Sequence, residues 1–229
     1  MAAVPQHSQT APDRSTAEDT VARLPSVPDG MLEACRAASL LIAGPNLSRL
    51  GVTSSLRGEG RSSIAMAMAT IQRNDYNRTV ALVDLDFENP ALVGRYGCES
   101  WPGLAEVARG KAPLDKVLRH VADGFFVVPG GLIAESVSRT VADILRADLL
   151  SQLERRVDAI IIDLPPLLGT GSGPTAARAV DKLLLVVRAG VTPVARIREA
   201  TADLHVTPVV VLNASYTSLP RWLRRLVGR

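Results

Sequence analysis

The chain has little of what several common chemistries require. Its two cysteines, Cys35 and Cys98, stand apart, with no metal-ligand spacing and no histidine close by in sequence. They read as reduced, structural thiols rather than as a disulfide or a metal knuckle. The three histidines, His7, His120 and His205, are scattered and form no site. Aromatic residues are only 3% of 229, too few to build a base-stacking surface, which argues against a nucleic-acid partner and for a core of Val, Leu, Ile and Ala. No apolar run approaches the roughly 18 residues of a membrane-spanning helix. Lysine is scarce as well: of 26 basic residues only Lys111, Lys116 and Lys182 are lysine, leaving 23 arginines. No internal repeat is present.

Against that background the segment from Ser54 to Ser63, SSLRGEGRSS, stands out. An apolar-ended stretch with Leu50 and Val52 leads into it, and a small-residue helix is expected over 64–71. Strand, glycine loop and helix in that order are the setting of a phosphate-binding loop. Gly58 and Gly60 let backbone N–H groups turn inward around an anion, and the helix N-terminus adds its positive end. Arg61 stands where such a loop carries lysine, and Ser55 where it carries its first glycine. Arg61 keeps the charge but is a longer, planar fork, and displacing a charge by about an ångström can cost on the order of 10²-fold in rate. Read alone, the segment is also compatible with an ordinary Gly/Ser turn.

Two further segments bear on that choice. The segments over 80–86 and 159–166 are apolar runs without alternation, as in parallel strands covered on both faces, carrying Asp84 and Asp86 at the end of the first and Asp163 towards the end of the second. Carboxylates at such strand ends lie in the crevice where open α/β sheets bind ligands. Other buried-type strands are expected over 125–128, 183–187 and 210–213, with helices over 104–107, 114–121 and 141–157. The fold class that follows is α/β, a doubly wound, mostly parallel sheet.

With these motifs in order, the chain resembles the bacterial tyrosine kinases of capsule and exopolysaccharide systems, P-loop proteins related to the Min/Par ATPases. Ser54 to Ser62 match the family's SSxxGEGKS loop except at Arg61, Asp84 and Asp86 match its Asp-x-Asp, and 163–166 match its Asp-x-Pro-Pro. The resemblance runs from about 33 to 213. It implies ATP and Mg2+ as cofactors, with Gly58, Glu59, Gly60, Arg61, Ser62, Ser63 and Asn213 around the nucleotide. It implies Ser62, Asp84 and Asp163 as metal ligands, and Asp84, Asp86 and Arg61 as the catalytic set. It further implies a membrane polysaccharide co-polymerase (chain-length regulator) as partner, and self-association. The departures are Arg61, Glu88 where the family carries arginine, Ser39 where its oligomerisation helix, begun here by Glu33 and Arg36, carries a second arginine, Ser172 in place of a common Asp, and a single tyrosine, Tyr216, near the C-terminus. The expectation is a divergent member with weak or lost catalysis; the alternative is an active Min/Par-like ATPase switch.

Both ends read differently from the middle. Residues 1–30 are rich in Ala, Pro, Ser and Thr without an apolar h-region, so a disordered lead-in is expected, followed by a nucleotide-binding domain over 31–215. Over 216–229, helical projection puts Leu219, Trp222, Leu223, Leu226 and Val227 on one face and Arg221, Arg224, Arg225 and Arg229 on the other. This pattern suits an anchor to an anionic surface, or a tail packed back on the domain. The first alternative makes the protein cytoplasmic and peripheral at the inner face of the cytoplasmic membrane.

Overall fold

The computed structural model describes residues 27–214, apart from 43, 134, 135 and 181. The expected lead-in, except for its last four residues, and the whole expected tail lie outside the described residues. The helices are α1 (Asp29–Ile42), α2 (Arg61–Asn74), α3 (Ala91–Tyr96), α4 (Leu104–Ala108), α5 (Val137–Arg146), α6 (Leu149–Glu154), α7 (Gly173–Ala177) and α8 (Val194–Thr201). The strands are β1 (Arg49–Ser54), β2 (Val80–Asp84), β3 (Arg119–Ala122), β4 (Phe125–Val128), β5 (Ala159–Asp163), β6 (Leu183–Arg188) and β7 (Val209–Asn213). They form one sheet in the order β3-β4-β2-β5-β1-β6-β7, parallel throughout except for β3 against β4.

The unbroken apolar runs in the central strands have a simple cause: both faces of the sheet are covered. Val80 and Leu82 of β2, with Ala159 and Ile161 of β5, pack in the layer under α1 and α2. Their neighbours Ala81, Val83, Ile160 and Ile162 pack in the opposite layer with Ile144 of α5 and Leu149, Leu150 and Leu153 of α6. Successive side chains on a strand alternate between faces, so each strand feeds both layers. The small residues of α2, Ala65, Ala67 and Ala69, are fully buried.

Two expected elements differ. The helix expected over 114–121 is a 3-10 turn, Leu114–Lys116, followed by β3. Asp123 and Gly124 join β3 to β4, and Gly124 has φ 64°. An Asp-Gly pair between short apolar runs is a hairpin signal that the sequence carried openly. The single helix expected over 141–157 is two, α5 and α6, because Asp148 turns the chain through φ 51° between them.

The pairing register places the site. In β2 against β5, Asp84 lies opposite Asp163. Adjacent strands are about 4.8 Å apart, so the two carboxyl groups are side by side at the strands' C-terminal ends. β1, which neighbours β5 on its other side, ends at Ser54 and opens directly into the glycine loop.

Candidate nucleotide site

The loop is a formed structure. Gly58 and Gly60 have φ 81° and 91°, the left-handed region that side chains avoid. A Cβ on Gly60 would also stand 2.0 Å from Nδ2 of Asn213. Glu59, buried, holds the turn from inside: its Oε2 accepts from the Leu56 amide at 2.8 Å, and its Oε1 from the Arg188 amide at 3.4 Å and from the Thr192 hydroxyl. Asn213, at the end of β7, donates from Nδ2 to the Glu59 carbonyl at 2.8 Å and accepts from the Ala214 amide. The amides of Gly58, Glu59 and Gly60 donate to no group among the described residues. With the start of α2 they form a concave set of donors suited to phosphate oxygens. Ser62 and Ser63, in the first turn of α2, are half-buried at the same end.

Arg61 does not face that cradle. It is buried, and its guanidinium turns toward the strand ends: Nε donates to Asp163 Oδ1 at 3.0 Å and Nη2 to Asp86 Oδ2. Both carboxylate side chains are fully shielded from solvent. The outward cation is Arg57, its side chain 43% exposed, paired with Glu88 at 2.5 Å and lying 3.7 Å from Asp86 Oδ2.

Asp84 is held by its own backbone surroundings. Its Oδ1 accepts from the Asp86 amide at 3.1 Å and its Oδ2 from the Leu92 amide at 3.0 Å. Burial, then the neighbouring Asp163 charge, push its carboxyl up to about 8, against the pull of those amides. Asp163 is pushed up to about 6 by burial, and Arg61, with the Ser62 hydroxyl beside it, favours its charged form. Beside Asp84 and Asp86 a cavity of about 210 Å³ opens, lined by Phe87, Pro90, Trp101 and Leu132 among others.

The expected metal set of Ser62, Asp84 and Asp163 does not fit a resident Mg2+. The Arg61 guanidinium lies on Asp163 Oδ1, so a metal there would sit beside a fixed positive charge, and each Asp84 oxygen already accepts one amide. Asp163 Oδ2 and Asp86 Oδ1 accept no hydrogen bond, but both carboxylates already face the Arg61 guanidinium, and Asp86 also has Arg57 at 3.7 Å. Among the described residues no cluster of three or more His, Cys, Asp or Glu has metal-holding geometry.

No family model matches the chain. Tyrosine-protein kinase ptk of Acinetobacter johnsonii is 28% identical over 130 residues, covering 56% of this chain and 18% of that protein. The VpsO kinase domain superposes with a TM-score of 0.73 at 25% identity, covering 82% of this chain and 95% of that one. The chain is thus similar, at a distance, to bacterial tyrosine kinases. It spans between 18% and 24% of the length of the curated tyrosine kinases it matches. A ParA-family ATPase from Chlorobium tepidum shares the fold at a TM-score of 0.61 and 18% identity, covering 80% of this chain and 81% of that one. These likenesses show a shared fold.

Set beside the tyrosine-kinase pattern, the structure brings the loop, Arg61, Asp84, Asp86, Asp163 and Asn213 to one end of the sheet. Sequence reasoning missed Arg57 and the bracing role of Glu59. The signal for Arg57 was present: Glu88 reverses the charge that the family's pattern has there, and Arg57 is its partner. The Glu59 contacts to β6 and the following turn had no local signal, since Thr192 is 133 residues away.

Proposed function

We propose that the chain binds ATP in the glycine loop and regulates polysaccharide assembly by association, with weak phosphoryl transfer. The observation that carries this reading is the inward turn of Arg61 onto Asp86 and Asp163. A loop lysine stabilises the transferring phosphate as a mobile point charge, whereas this guanidinium is committed to two buried carboxylates. Asp84, the candidate base, has both oxygens hydrogen-bonded to amides, and burial raises its carboxyl to about 8. Binding needs only the amide cradle, the end of α2 and a cation at the mouth, all of which are present. Magnesium, implied by the resemblance, has no part in this reading because Arg61 already sets a positive charge against Asp163, one of its expected ligands.

The resemblance supports a membrane polysaccharide co-polymerase as partner, self-association, and a place at the inner face of the cytoplasmic membrane. No described helix is long and apolar enough to cross a membrane. The test is calorimetric titration of the full chain with ATP, together with assays of phosphate release and phosphotyrosine. Micromolar-to-millimolar binding with turnover near background is expected, and Arg61→Lys should raise turnover at least about tenfold. Undetectable binding at millimolar ATP refutes the nucleotide reading, and brisk turnover by the unaltered protein refutes weak catalysis.

A further inference from the structure

The guanidinium of Arg61 lies where three features meet: the first residue of α2, the Asp86 carboxylate beyond the end of β2, and Asp163 at the end of β5. Both carboxylates are fully shielded from solvent and Arg61 nearly so. Buried carboxylates require a counter-charge, which a bound metal or a side-chain cation can provide. Here the cation is covalently part of the chain. It uses separate nitrogens for the two acids, a directed two-point bond for which the planar fork of arginine is suited and the ammonium of lysine is not.

We infer that Arg61 is a tethered substitute for the divalent cation, so that this site binds nucleoside triphosphate without metal. Arg57 completes the arrangement at the mouth, where its half-exposed guanidinium beside Glu88 is placed to meet the outer phosphates in the metal's absence. The inference rests on the nucleotide-binding reading above and goes beyond it: it assigns Arg61 a charge-compensating role toward the acidic pair and makes the metal-free nucleotide the ligand.

The test is titration of the full chain with ATP by calorimetry, once in EDTA and once in excess MgCl2. A parallel titration with MnCl2 alone is followed by the electron-spin resonance of free Mn2+. Affinities within about threefold of each other in the two buffers are expected, with no uptake of Mn2+. In Arg61→Lys, whose point charge cannot span both carboxylates, magnesium should tighten ATP binding by about tenfold or more. Tightening of that size in the unaltered protein, or stoichiometric Mn2+ uptake by it, overturns the substitution. An Arg61→Lys protein that folds and remains indifferent to magnesium overturns it too. Absence of ATP binding in both buffers overturns instead the nucleotide reading beneath it. The comparison on the unaltered protein stands whether or not the variant folds.

Discussion

Replacing Arg61 by methionine keeps most of the apolar stem and removes only the charge and its directed bonds. Asp86 and Asp163 then lose the cation that meets them in a shielded setting. Breaking a buried pair by removing one partner costs about 3–5 kcal/mol. For a domain of this size each kcal/mol lowers Tm by about 2–4 °C, so a fall of roughly 10 °C is expected at pH 8. The cost has a second signature, because stranded carboxylates neutralise themselves by taking up protons. Protonating an ordinary Asp costs about 1.4 kcal/mol per pH unit above a pKa near 3.9, hence about 1.5 kcal/mol at pH 5 and more than 5 at pH 8. The sign follows: a carboxyl whose folded-state pKa is raised contributes stability that is present below its unfolded value and lost as pH climbs through the folded value. Arg61→Met should therefore approach the parent at pH 5 and fall away from it toward pH 8. Thermal unfolding of both proteins at pH 5, 6.5 and 8 measures the gap. A loss of the same size at every pH would show that Arg61 acts through packing. A loss under about 1 kcal/mol throughout would mean that the acidic pair is compensated by water.

Asp84→Asn tests the second buried acid. Because the Asp84 carboxyl is raised to about 8, first by burial, the parent should lose stability between about pH 4 and 8, by up to about 1.4 kcal/mol per pH unit, and the Asn variant should lack that slope. Denaturant midpoints at pH 5 and 8 read it, and parallel pH profiles would refute it. At the C-terminus, outside the described residues, the sequence pattern predicts that a version ending at Tyr216 sediments with anionic liposomes less than the full chain does. The difference should shrink in high salt. Equal sedimentation of the two forms would leave membrane association to a protein partner.

The central strands were legible in the sequence because burial on both faces leaves an unmistakable record: unbroken Val, Leu and Ile runs ended by acids. The loop was legible for a similar reason, since the turns at Gly58 and Gly60 need glycine. What could not be read was direction. Nothing local distinguishes an Arg61 that reaches outward to phosphate from one folded back onto Asp163, 102 residues away, because that choice depends on how β2 and β5 pair. The β3–β4 hairpin is a different kind of miss. Its Asp-Gly turn was in plain view, but the apolar spacing over 114–121 suited a helix equally well, and short runs do not separate the two periods.

Glu59 has one more consequence, which concerns entropy. Its carboxylate joins the Leu56 amide to the Arg188 amide and the Thr192 hydroxyl, while its carbonyl is held by Asn213. The loop is thus anchored to the ends of β6 and β7 before any ligand arrives. A glycine-rich turn left to itself would surrender on the order of 1–2 kcal/mol of backbone freedom per residue when it closed on a phosphate. Here the fold has already met that cost, so an entering anion orders little beyond itself and the side chain of Arg57. The same anchoring fixes the width of the cradle, and the loop selects its ligand by fit rather than by closing around whatever enters.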